Sequence, residues 1–137
     1  MNQDPFAKPL PEPSVESQPF WSALNEGRLV IQCCAACKAL RHYPRPVCPE
    51  CYSFDYDWAE ASGNGTIHSW TVAHHAFHPG FKEDLPYTLA TVDLEEGVRL
   101  VAPVRGLNGR KMQVGQAVRV VFRSADGGQA LPEVEFV

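Results

Sequence analysis

Four of the chain's five cysteines stand as two Cys-x-x-Cys pairs, Cys34-Ala35-Ala36-Cys37 and Cys48-Pro49-Glu50-Cys51, with residues 38–47 between them. A Cys-x-x-Cys turn presents two sulfurs to one point, and two such turns facing each other complete a tetrahedron. That is the geometry Zn²⁺ prefers, and all-thiolate sets are common in its structural sites. The intervening stretch is shorter than the usual double-knuckle spacing of about 15–20 residues but still suits a zinc ribbon. The spacing therefore predicts Cys34, Cys37, Cys48 and Cys51 as metal ligands. Cys33 falls outside the knuckle geometry, and His42 competes as a ligand only if a thiolate is missing. Four thiolates leave no open position for a water, so the site is structural and its contribution is folding energy. A thioredoxin-like dithiol reading would require a βαβ setting that the sequence lacks.

The chain has 137 residues, enough for about one domain or two very small ones. No apolar run approaches the length of a membrane span. The opening MNQDPFAKPLPEP has neither the basic region nor the apolar stretch of a secretory signal. Clustered cysteines without such a signal point to a reducing compartment, the cytoplasm. A net charge of −4 argues against a partner bound through its phosphate backbone.

The chain divides into three parts. Residues 1–16 carry Pro5, Pro9, Pro11 and Pro13 and read as an extended or disordered arm. Residues 17–60 hold a short helix and the ribbon. In SQPFWSALNEGRL, Ser17 is placed to cap the helix, Pro19 suits its first turn and Gly27 its end. Phe20, Trp21 and Leu24 share one face. That face packs on its own domain or, with Phe20 and Trp21 as contacts, docks on a partner. Residues 61–137 read as five strands: GNGTIHSWTVAHH, LPYTLATVDL, GVRLVAPVRG, QAVRVVFR and LPEVEF. Turn signals at Gly63-Asn64-Gly65, Glu95-Glu96-Gly97, Asn108-Gly109 and Asp126-Gly127-Gly128 separate them. Alternation places Val98, Leu100, Ala102 and Val104 on one face, and Val118, Val120 and Phe122 on the equivalent face of the next strand. The fold class is thus mostly β, with an N-terminal helix, a rubredoxin-like zinc ribbon and a C-terminal five-stranded OB-fold barrel.

The order of these pieces resembles a known family. A short Phe-Trp helix, Cys-x-x-Cys and Cys-Pro-x-Cys knuckles around RHYPRP, and the run PYTLATVDLEEGVRL are similar to the zinc-ribbon plus OB-fold acyl-CoA-associated proteins, domain of unknown function thirty-five. The resemblance covers residues 17–137. Lys38 stands where that family's first knuckle usually has glycine, a position where left-handed backbone strains a side chain. The resemblance implies a non-catalytic subunit that partners a thiolase-like, lipid-transfer-protein-like or hydratase-like enzyme acting on acyl-CoA. Lipid or steroid metabolism is the setting it implies.

A zinc ribbon joined to an OB barrel also suits single-stranded nucleic acid, which is the alternative. That ligand needs a basic track with aromatic platforms. Arg99, Arg105, Arg119 and Arg123 with Trp70, Phe77, Phe81 and Tyr87 are the candidates. Sixteen acidic residues against twelve basic ones weaken such a track. A CoA thioester asks for less: a few arginines for its phosphates and an apolar trough for the rest. Arg41, Arg45, Arg99 and Arg105 are the candidates for the phosphates. The loop bearing Phe77, Phe81 and Tyr87 is the candidate edge of the ligand tunnel. His74, His75 and His78 cluster in that loop, but no carboxylate stands at a motif spacing beside them. No nucleophile elbow, P-loop, dinucleotide fingerprint or HExxH run is present, so no enzyme is expected from this chain by itself.

Overall fold

The computed structural model describes residues 7–125 and 128–137. The first six residues of the arm, Pro5 included, and Asp126 and Gly127 of the last turn signal lie outside the described residues. Among the described residues no helix is long and apolar enough to cross a membrane.

Helix α1 spans Gln18–Asn25 and turns Phe20, Ala23 and Leu24 inward. Ser17 stands at its N-cap, but the Ser17 hydroxyl makes no capping bond. It instead accepts from the Ser14 amide at 2.9 Å, in a tight turn that delivers the arm into the helix. Residues Val30–Cys34 (β1), Leu40–Arg41 (β2) and Tyr56–Glu60 (β3) form an antiparallel sheet in the order β2-β1-β3. This is the ribbon, and its knuckles are the two turns at its tip.

The five strands expected after residue 61 are present: Asn64–Ala73 (β4), Tyr87–Leu94 (β5), Arg99–Pro103 (β6), Ala117–Ser124 (β7) and Ala130–Phe136 (β8). They form one sheet in the order β6-β5-β4-β7-β8. Its ends meet where Val104 bridges Val134 in parallel, with the Arg105 amide donating to the Val134 carbonyl at 2.7 Å. The sheet thereby closes into an OB barrel. Strand β5 alternates strictly between buried and half-buried positions, as a barrel wall must. Val98, Leu100 and Ala102 face inward as the alternation predicts. Only Gly63 of Gly63-Asn64-Gly65 serves the turn, with φ +87; Asn64 and Gly65 already belong to β4. A Cβ on Gly65 would lie 2.6 Å from the Asp93 carbonyl oxygen, so its glycine lets β4 and β5 close together.

One hydrophobic core serves both halves. Phe20, Leu24, Leu29 and Ile31 pack in the same cluster as Ile67, Val92, Leu100, Val118 and Val134. Burying each such side chain contributes about 1.5–3 kcal/mol. Polar ties reinforce the joint, as Asn25 Oδ1 accepts from the Ala130 amide at 2.7 Å and Gln129 Nε2 donates to the Trp21 carbonyl at 3.2 Å.

Candidate functional site

The two knuckles are built alike. The Lys38 amide donates to the Cys34 carbonyl at 3.0 Å, and the Tyr52 amide donates to the Cys48 carbonyl at 2.9 Å. Each knuckle is also closed from outside, by Cys34 N–H to Ala39 C=O and by Cys48 N–H to Ser53 C=O, both at 2.9 Å. The residue after each second cysteine takes left-handed backbone, Lys38 at φ +66 and Tyr52 at φ +65. The sequence marks the first of these positions; the second is its structural twin.

The four sulfurs lie within 4.8 Å of one another, with Cys34–Cys51 at 3.5 Å and Cys37–Cys48 at 3.7 Å. A tetrahedron with Zn–S bonds of about 2.3 Å has edges of about 3.8 Å, so the cage is of zinc size. Cys34 and Cys48 are fully buried, whereas Cys37 and Cys51 are exposed. The Cys37 amide, directed at the Cys34 sulfur, chiefly draws that thiol down to about 6, and the Cys51 amide chiefly lowers Cys48. The Ala39 amide pulls Cys37 down too, but burial and the neighbouring thiols outweigh it and push Cys37 up to about 12. Cys51 is likewise raised, the Ser53 amide being outweighed by the thiol of Cys34 and by burial. The backbone amides thus favour the thiolates of Cys34 and Cys48, and a dication would favour the thiolate form of all four. The fit is to a closed structural Zn²⁺ site. Cys33 sits outside this cluster, its sulfur 3.7 Å from the carbonyls of Cys34 and Lys38. The ring of His42 packs tilted against Phe20 and Tyr43 and does not join the four sulfurs.

A second constellation lies where the ribbon meets the barrel. Arg41, Arg45 and Arg99 line one open cleft of about 470 Å³, together with Leu40, His42, Pro49, Asp93, Gly97 and Val98. Its organiser is Gln32, a fully buried amide that sequence reasoning passed over. Gln32 Oε1 accepts from Arg41 Nε at 2.6 Å and from the Arg45 amide at 2.7 Å, and its Nε2 donates to the Arg45 carbonyl at 2.9 Å. Arg41 is only 8% exposed, lies over the Tyr56 ring and donates from Nη2 to the Arg45 carbonyl. Its Nη1 is buried without a partner, and no carboxylate among the described residues pairs with Arg41 or Arg45. Arg99 does have one, Asp93 at 2.6 Å, and this bond holds the Asp93 carboxyl below its usual range. A buried polar amide at an otherwise apolar strand position was the available signal for Gln32.

Beside this cleft, across the ring of His42, lies an apolar groove of about 200 Å³ walled by Phe20, Trp21, Tyr43, Pro44, Val101 and Pro132 among others. The Tyr43 hydroxyl accepts from the Val101 amide at 3.2 Å and so fastens the ribbon loop to the β6 edge. Phe20 itself is committed to the core at 4% exposed; Trp21 is half-buried and lends an edge to the groove.

The remaining candidates are elsewhere. Arg105 does not join the cleft. It pairs with Glu133, which also takes Arg123, while Arg119 pairs with Glu135. Phe77 is almost fully exposed, and Phe81 packs near Tyr87 on the short 3₁₀ helix Pro79–Asp84, with ring centroids 6.0 Å apart. His78 caps that helix by accepting from the Gly80 amide at 3.0 Å. The arm crosses here, with Lys8 at Asp84 and so close to Gly80 that a Cβ there would lie 2.8 Å from the Lys8 Cα.

Comparison with known proteins gives two family matches in series. The rubredoxin-like zinc ribbon domain of ChsH2 matches residues 21–57, and the C-terminal OB-fold domain of ChsH2 matches residues 58–123. The chain is 46% identical over 124 residues to a probable enoyl-CoA hydratase alpha subunit of Thermomonospora curvata, covering 89% of this chain and 38% of that protein. It is 34% identical over 119 residues to the 3-oxo-4,17-pregnadiene-20-carboxyl-CoA hydratase alpha subunit of Mycobacterium tuberculosis, covering 87% of this chain and 37% of that one. The chain therefore spans well under half the length of these curated relatives. In structure it is similar to a chain of the Ltp2-ChsH2(DUF35) aldolase, with a TM-score of 0.84 and 42% identity over 93% of this chain and 98% of that one.

Proposed function

The chain belongs to the ChsH2-like DUF35 family, a rubredoxin-like zinc ribbon joined to an OB-fold, and from this we propose that it is a non-catalytic accessory subunit of an acyl-CoA enzyme. The observation that carries the reading is the likeness, along nearly its whole length, to a chain of the two-component Ltp2-ChsH2(DUF35) aldolase. The partner is a thiolase-like, lipid-transfer-protein-like or hydratase-like enzyme, and this chain helps to form its acyl-CoA site. The relatives described as CoA hydratase subunits point to the same thioester chemistry, a steroid acyl group among them. Zinc holds the scaffold and takes no part in the reaction; the chain's residues bind and orient.

The charge distribution weighs against a nucleic-acid strand. All four barrel arginines that would form the track, Arg99, Arg105, Arg119 and Arg123, have a carboxylate within 2.9 Å. A cation already neutralised releases few counterions from a phosphate backbone. The test is affinity capture with the tagged chain from its native lysate, with and without nuclease, followed by acyl-CoA turnover by whatever is retained. An enzyme of the named classes, held in both samples and losing activity when the chain is stripped away, is the expected result. Material released by nuclease would overturn the reading in favour of a strand-binding module.

A further inference from the structure

Burying a guanidinium without a counter-charge is costly, several kcal/mol before hydrogen bonds offset it. Arg41 is in that position: nine-tenths buried, held by neutral oxygens of Gln32 and Arg45, and with Nη1 unpartnered. Arg45 shares its cleft and also has no carboxylate partner among the described residues, whereas Arg99 there is held by Asp93. Gln32 fixes Arg41 and the Arg45 backbone together, so the guanidinium is held in place before anything binds. A preorganised guanidinium with an unpartnered Nη1, flanked by a second unpaired arginine, is a site for a multiply charged oxyanion, for which phosphate is the best match. The adjoining groove has the opposite chemistry. His42 belongs to the walls of both, and consecutive β6 residues run from the one, Val98 and Arg99, to the other, Leu100 and Val101.

We propose that one ligand path runs along this seam, with the phosphates of a CoA thioester at Arg41 and Arg45 and its pantetheine-acyl arm in the groove of Trp21, Tyr43 and Pro132. The assignment rests on the acyl-CoA reading above and relocates the ligand within it. The aromatic loop of Phe77, Phe81 and Tyr87 and the ion-paired Arg105 are not part of the path. The polar end selects by charge and the apolar end by shape, as a two-part ligand requires.

The test is nuclear magnetic resonance titration of the zinc-loaded, ¹⁵N-labelled full chain with CoA, inorganic phosphate and S-octanoyl-pantetheine in turn. CoA is expected to shift the Arg41 Nε–H and the backbone of residues 41–45 and 97–99. Octanoyl-pantetheine is expected to shift the Trp21 indole and the Tyr43 and Val101 amides. Arg45→Gln, which keeps the backbone groups that Gln32 holds, should weaken CoA about tenfold and leave octanoyl-pantetheine within about twofold. Trp21→Ala should do the reverse. Arg41→Gln should abolish the CoA shifts, and Arg45→Gln keeps the question answerable if that variant does not fold. Shifts confined to Phe77, Phe81 and Tyr87 would overturn the path, as would inorganic phosphate binding as tightly as CoA, or no shift at all. None of those results would undo capture of a partner enzyme, so this site and the accessory reading stand or fall separately.

Discussion

Lys38 and Tyr52 occupy twin left-handed positions, one after each knuckle. An L-residue there costs roughly 1–2 kcal/mol, of which glycine's greater freedom in the unfolded chain takes back part. Lys38→Gly should therefore stabilise the zinc-loaded protein by about 0.5–1 kcal/mol, seen as a rise in the midpoint of thermal unfolding. A fall would mean that the lysine side chain contributes more than its backbone costs. His42 carries a pH dependence. Burial pushes it down to about 4 from 6.5, so between those values the unfolded chain holds the proton that the folded chain refuses. Its contribution is fully present above pH 6.5 and is lost as pH falls toward 4, by at most about 3 kcal/mol. Urea midpoints of the zinc-loaded protein should fall less steeply over this window in His42→Phe than in the parent. Equal slopes would show that the imidazole does not govern the window. Gln32 is the remaining residue of note, because removing its amide orphans Arg41 Nε and the Arg45 N–H together. Gln32→Ala should destabilise by about 2–4 kcal/mol in the same measurement.

Among the elements, the knuckles and the barrel strands were the most legible in the sequence. Cysteine spacing is a covalent signal that no tertiary contact can override, and β6 and β7 carry plain period-two alternation. The helix was legible in extent, but its cap was not. Ser17 was the right residue in the right place, yet Ser14 competed for its hydroxyl, a local bond the pattern does not encode. The site was half legible. Arg41, Arg45 and Arg99 were named from the sequence, but their meeting depends on how the ribbon packs against β6, and that is a tertiary fact. Closure of the barrel, which brings the end of β6 to β8, gives Arg105 to Glu133 instead. The packing of the ribbon on β6 also forms the apolar groove at Trp21 and Tyr43, which the sequence did not mark. At this scale Cys48→Ser should release the metal and unfold the ribbon. Loss of zinc by elemental analysis, with loss of the amide signals of residues 30–60, is the expected result. A folded, metal-free ribbon would refute a structural role for zinc.

At the scale of the molecule the decisive feature is the shared core, in which Phe20, Leu24, Leu29 and Ile31 lie among the barrel's own apolar residues. Two modules that match separate family descriptions are thus energetically one body. Chelating the metal should therefore lower the unfolding temperature of the barrel as well as melting the ribbon, checked by following residues 64–136 by amide exchange before and after chelation. Unchanged protection there would mean that the barrel stands alone. The continuity also gives the four sulfurs a reach beyond their own turn. If the chain is an obligate companion of a thioester enzyme that itself needs no zinc, a cell starved of zinc would lose that enzyme's output while the enzyme remained intact and abundant. Nutrient status would then be read through the scaffold, not through the catalyst.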